Sequence, residues 1–328
     1  MDKVVHRGGE KVKNLLKIRG TALKMALIAL TVSLIYLFLS PLSVAAGQKI
    51  SVQDSLNRTV TLAHPAVRVV CLSESHAENI VALRAVSQLA GIAFTTDRDW
   101  VRKDLPRLSK NPSAAQMLEL KPDLVVADDL WARTNQDVIR DLDRSRTPCA
   151  IFAVPSWTGF AAYLDALGAL LGRDRESDAA LSQLEKTIGR AKERASGKKQ
   201  PNVFVLAGAD FATCDPFSWG ARIITTAGAR LVTDAKAERL GETPWLVLFG
   251  PKKFAADAAR VDVIITVISN TRGAAVLHKS DIMKDSRFKD APAVKNGRVF
   301  EMKEADLMPS LTRLDSSLKS CAEMFAGK

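Results

Sequence analysis

What constrains this chain most is a strand–helix alternation that runs once and then runs again. Val67–Leu72 reads as a buried strand. Ser75-x-x-Glu78 then has the form of a capping box, opening a helix that carries Ile80, Val81 and Leu83. Leu89–Phe94 reads as a second strand, and Ser113–Leu120 as a short helix closed by Lys121-Pro122-Asp123. Leu124–Ala127 and Ala150–Val154 follow as strands three and four. Ahead of them, Lys49–Leu62 alternates about a turn at Asp54–Asn57, the signature of a hairpin. The alternation restarts with a strand at Asn202–Ala207, a helix over Ser218–Ala227 stopped by Gly228, a helix at Pro251–Ala259 and a strand at Val261–Val267. Val203 answers Val69 and Asp262 answers Asp123 at nearly constant spacing. Such alternation predicts a parallel sheet covered by helices, so the fold class is α/β with two doubly wound lobes of like architecture. Between the halves, Phe160–Leu171 and Arg175–Ala195 read as helices broken at Leu171-Gly172-Arg173-Asp174. The second is long and mostly polar, as a strut between two lobes would be.

Before the first lobe stands a leader. It opens with a basic stretch ending at Lys24, continues with an uncharged run from Met25 to Leu39, and closes on small residues through Ala45, Ala46 and Gly47. This is the pattern of a secretory signal, with cleavage expected after Ala45 or Ala46. Fifteen residues of helix reach about 22 Å, short of the roughly 30 Å hydrocarbon core, although the long basic region leaves an uncleaved anchor as the alternative. The expected division is a signal at 1–46, an N-terminal αβ lobe at 47–159, a helical segment at 160–199 and a C-terminal αβ lobe at 200–328. The compartment expected is the periplasm. The net charge of +11 points toward nucleic acid only until it is located. Residues 1–46 hold seven Lys/Arg against two Asp/Glu, and the rest is spread without a long basic run. A solvated mixed surface follows, with no nucleic-acid partner. Cys71 and Cys149 lie in apolar runs and read as small buried residues. A Cys214–Cys321 bridge stays open as the alternative to free thiols in the second half.

Four segments, in order, resemble one family. They are Val69-Val70-Cys71-Leu72-Ser73-Glu74-Ser75-His76-Ala77-Glu78, Leu118–Val126 around Leu120-Lys121-Pro122-Asp123, Ala166–Arg173, and Ala293-Val294-Lys295-Asn296-Gly297-Arg298-Val299-Phe300. Together they resemble the periplasmic solute-binding proteins of iron-siderophore, haem and cobalamin ABC importers (the Fe/B12 periplasmic-binding domain type), over about residues 50–325. The resemblance implies two αβ lobes joined by one long rigid helix, with the ligand in the cleft between them. Members of that family carry one exposed carboxylate per lobe that docks on the permease. In the first lobe the matching residue is Glu78; in the second, Arg222 stands where an acid is expected. The first motif also has Glu74 and Ala77 where the family has Pro and Thr.

In doubly wound lobes the ligand meets the carboxyl ends of the strands. The loops placed there offer Glu74, His76, Asp97, Arg98, Asp99, Trp100, Asp128, Asp129, Trp131 and Trp157 from the first lobe. The second offers Asp210, Asp215, Trp245, Arg272 and His278. Acids outnumber arginines, whereas anionic ferric siderophores favour guanidinium-lined sites. Carboxylates with one or two histidines suit a hard or borderline metal ion or a cationic complex, with His76, Asp128, Asp129 and His278 as candidate metal ligands. Against this, Asp128 and Asp129 can equally be turn formers, and Ser75 and Glu78 mere helix caps. Two of Trp131, Trp157 and Trp245 are expected to wall the cleft.

No G-x-S-x-G, H-E-x-x-H, P-loop or G-x-G-x-x-G occurs, so no enzyme is expected. The reading is a monomeric substrate-binding component that captures a metal ion or metal complex for ABC permease subunits. It has no cofactor of its own, since the transported ligand carries the metal, and it meets the membrane only through the permease. The alternative is a periplasmic metal-binding chaperone or metal-dependent enzyme without a permease.

Overall fold

The computed structural model describes residues 49–94, 98–240, 243–269 and 275–326. The signal segment, Asp97 and Arg272 lie outside the described residues. The chain opens on the hairpin of β1 (Ile50–Gln53) and β2 (Thr59–Leu62), with Asn57 left-handed in its turn. Then come β3 (Val69–Cys71), β4 (Leu89–Ile92), β5 (Leu124–Asp128) and β6 (Cys149–Phe152), all parallel, in the order β4-β3-β5-β6. β3, β5 and β6 are almost wholly buried, which is why they read as continuous apolar runs instead of alternating ones.

The second half contains β7 (Asn202–Leu206), β8 (Ala212–Cys214), β9 (Arg230–Leu231), β10 (Arg239–Leu240), β11 (Thr243–Leu248), β12 (Val263–Ile268) and β13 (Val299–Lys303). Four of them form a second parallel sheet, read from its edge as β9-β7-β12-β13. Both parallel sheets therefore place their strands in the same order: second, first, third, fourth. The second lobe differs by an insertion, the small antiparallel sheet β10-β11-β8.

Helix Phe160–Leu171 ends on left-handed Gly172, and helix Asp174–Ala195 follows at once. That long helix packs on Phe160–Leu171 of the first lobe and on the helices Trp219–Thr226 and Leu314–Phe325 of the second. One apolar core continues through both lobes, from Val69 and Ile80 past Leu164 and Trp219 to Ile265 and Leu318. All four cysteines are buried free thiols, each pushed up to about 12 by burial, so the Cys214–Cys321 bridge is not formed.

Each lobe also sends its final connection into the other. The segment after β6 brings Trp157 and Phe160 against Trp219, at centroid distances of 4.7 and 4.5 Å. The segment after β13 reaches back to helix Glu74–Ala82 of the first lobe. There the Asn79 amide donates to Pro309 O at 2.9 Å, and Leu311 N donates to Asn79 Oδ1 at 3.1 Å.

Candidate ligand-binding cleft

The carboxyl ends of both parallel sheets meet around one ion cluster. Glu74 and Glu78 lie on the helix that follows β3, and Asp306 and Arg313 on the segment that follows β13. Arg313 Nε donates to both oxygens of Glu78, at 2.7 and 2.9 Å. Its Nη2 donates to Glu74 Oε1 at 2.6 Å, and Nη1 lies 3.5 Å from Asp306 Oδ1. Arg98 Nε adds a contact to Glu78 at 3.4 Å. Burial alone would lower the Arg313 pKa; the bond to Glu78 and the charges of Glu78, Glu74 and Asp306 outweigh it and raise it. Among the described residues of this cluster, three carboxylates surround two guanidiniums, an excess of one negative charge. Glu78 is shut in, with 1% of its side chain exposed, while Glu74 and Asp306 keep 28% and 31% exposed. Ser269 and Glu304, bonded to each other, stand at the ends of β12 and β13 beside Trp245, around a small pocket.

Several sequence expectations are corrected here. Glu78 does not cap its helix and does not stand at an exposed rim. The N-cap is Ser73, no side-chain cap bond forms, and the carboxylate turns inward to Arg313. Arg222 is half-buried, its guanidinium 5.1 Å above the Trp157 ring at the junction of the lobes. His76 does not face the cleft: it is 0% exposed and uses both ring nitrogens internally. Nε2 lies 3.0 Å from Phe152 O, a group that can only accept, so Nε2 carries the proton. Nδ1 then accepts from the Tyr163 hydroxyl at 2.9 Å, and that oxygen accepts from Asn79 at 3.3 Å. Desolvation lowers the His76 pKa, opposed by the charge of Asp128, and the neutral imidazole is the stable form.

Asp128 is an N-cap, accepting from Trp131 N at 2.7 Å, and Asp129 pairs with Arg133 at 3.0 Å. Asp215 is buried, bonded to Phe217 N and paired with Arg239. His278 sits exposed beside Glu301, with 3.3 Å between Nδ1 and Oε1. Among the described residues no three His, Cys, Asp or Glu side chains gather into a metal-binding group, so His76, Asp128, Asp129 and His278 do not form one centre. Trp131 is packed in the first-lobe core, Trp245 is buried but borders the small pocket, and Trp157 is half-buried between the lobes. Asp99 is exposed, and Trp100 packs near Phe94 with ring centroids 6.5 Å apart.

Sequence reasoning missed Asn79, Glu304, Asp306 and Arg313. A signal for two of them existed: Glu304-Ala305-Asp306 directly follows Val299–Lys303, the strand that ends the second sheet.

Residues 69–305 match the family described as periplasmic binding protein. A relative from Bacillus subtilis (strain 168), the uncharacterized ABC transporter substrate-binding lipoprotein YvrC, is 22% identical over 282 residues, covering 84% of each chain. A periplasmic binding protein from Veillonella parvula superposes with a TM-score of 0.68 at 17% identity, over 86% of this chain and 99% of that one. The periplasmic haem-binding protein RhuT from Roseiflexus, in apo form, gives 0.62 at 21% identity, over 78% and 98%.

Proposed function

Because this chain belongs to the periplasmic binding protein family, as a substrate-binding component of an ABC transporter and not an enzyme, we propose that its cleft captures a cationic metal species or metal complex for the permease. The observation that carries this reading is the carboxylate excess where the two sheets meet. Glu74 and Asp306 come from opposite lobes, are held by one buried guanidinium, and stay open to solvent. Such a surface attracts a cation or a donor-bearing complex and opposes a tricatecholate anion. A haem-binding protein among the structural relatives supports a metal-containing cargo. The leader supports export to the periplasm, with the mature protein acting as a monomer. Since Glu78 is internal, other residues carry the permease contact.

The test is calorimetry on the mature protein with nickel–histidine, cobalamin, haem and an anionic ferric tricatecholate. Tight 1:1 binding is expected for a cationic or neutral species. The Glu74→Gln/Asp306→Asn double variant is expected to bind it about tenfold more weakly, equivalent to about 1.4 kcal/mol. Tightest binding of the tricatecholate, or catalytic turnover of any of the four, would overturn the proposal.

A further inference from the structure

A second concavity shares no residue with the ion cluster of the cleft. It is a pocket of about 440 Å3 beside helix Asp174–Ala195, lined by Leu181, Ile188 and Gly189 of that helix, by Trp157 and Phe160 from the segment after β6, and by Arg222 of helix Trp219–Thr226. Both lobes and the helix that joins them therefore contribute. Its size and its mostly apolar lining are those of a small-molecule site, which spans about 300–1,000 Å3 and carries a few placed polar groups.

The placed polar group here is Arg222. Its guanidinium lies 5.1 Å above the Trp157 ring, which attracts the charge but offers no oxygen. Its Nε is shut from water and meets no acceptor. The other buried or half-buried arginines among the described residues all have one. Arg58 pairs with Asp54, Arg98 and Arg313 with Glu78, and Arg173 with Glu176, while Arg298 donates to the carbonyls of Met324 and Phe325. Three residues before Arg222 on the same helix, Trp219 is 2% exposed, and its Nε1 also lacks an acceptor. A donor left unpaired out of water is costly, and a carboxylate is the acceptor that suits a guanidinium best. Gly189 is an independent sign. Glycine weakens a helix interior, yet one stands inside this 22-residue helix, where a Cβ would meet nothing within 4 Å. The missing side chain keeps the pocket open there.

The geometry points to a second binding site, separate from the cargo cleft, for a small aromatic monocarboxylate, with its carboxylate on Arg222 and its ring among Trp157, Phe160 and Leu181. The charge count selects a monoanion. Glu185 and Lys192, both exposed, add one charge of each sign to the lining, so its net charge is the single positive charge of Arg222. An inorganic anion would leave the apolar lining in contact with water, and a neutral aromatic would leave the guanidinium without its oxygen. A molecule held there touches Trp157 of the first lobe, Arg222 of the second and the helix between them, so its binding depends on how the lobes are placed.

Calorimetry on the mature protein with 1-naphthylacetate tests this, with 1-naphthylacetamide and 1-naphthylmethylamine as the neutral and cationic counterparts. One molecule of the acid should bind, roughly tenfold more tightly than the amide, and the amine should not bind. Arg222→Gln should erase the preference for the acid while leaving the affinity for the amide unchanged, whereas a folding defect would weaken both alike. Gly189→Leu fills the pocket and should abolish binding of the acid, with the thermal midpoint unchanged or higher. No saturable binding of the acid, equal affinity for acid and amide, tighter binding of the amine, equal weakening of acid and amide in Arg222→Gln, or full binding by Gly189→Leu would overturn the inference.

Discussion

The imidazole of His76 is fixed as a donor at one nitrogen and an acceptor at the other, and that has a consequence in solution. Protonation would set a second N–H against the Tyr163 hydroxyl inside an apolar shell. The folded state therefore binds this proton less readily than the unfolded chain, whose histidine titrates near the ordinary 6.5. The contribution is complete above about pH 6.5 and is lost as the pH falls below it, with a slope of at most about 1.4 kcal/mol per pH unit. We expect urea midpoints of the parent to drop between pH 7 and 5.5, and His76→Gln to flatten that slope while lowering stability at pH 7. A parent whose midpoint is level across this window would refute the assignment.

Among the elements, the junction between helices Phe160–Leu171 and Asp174–Ala195 offers the sharpest test. Gly172 sits at φ +63, and a Cβ there would lie 2.8 Å from Pro65 Cβ and Cγ. Gly172→Ala combines left-handed strain with a clash and should cost about 1–3 kcal/mol by denaturant titration, whereas Gly189→Ala, where a Cβ meets nothing within 4 Å, should be neutral or stabilising. Equal effects at the two positions would contradict this account. The Gly172 break was legible in the sequence, as were the parallel strands, because apolar runs and helix stops are local signals. The short helix expected from Ser113 starts there, on a capping box with Gln116 that the structure reveals, and Ser218 caps its helix. The box read at Ser75 failed because Glu78 finds Arg313, a partner that no local pattern announces. The sheet β10-β11-β8 is not legible for a similar reason: β8 and β10, the partners of β11, are only three and two residues long, too short to show a period. Loop position marks Asp128, Asp129 and Asp215 as cleft acids, yet the first caps a helix and the other two are paired, since Asp at a strand end is as useful to a helix start as to a ligand.

At the scale of the whole molecule, Arg313 joins the two lobes through groups that have left water. Arg313→Met would leave Glu78 buried with only Arg98 near it, and should cost about 3–5 kcal/mol. Glu78→Gln should cost less, because Arg313 keeps Glu74 and Asp306. Guanidinium titrations followed by tryptophan fluorescence and far-UV circular dichroism would decide the order, and a milder loss in Arg313→Met than in Glu78→Gln would reverse the account.

The crossed final connections carry one more implication. A chain severed between Ala195 and Asn202 would yield two fragments, and each would lack the piece that closes it. The first would hold Glu78 and Asn79 without the segment that satisfies them; the second would present Trp219 without Phe160 and Trp157. Neither is expected to stand alone. Mixed together, they have every reason to find each other, and the molecule is therefore a natural candidate for a split reporter whose two parts regain structure only on meeting.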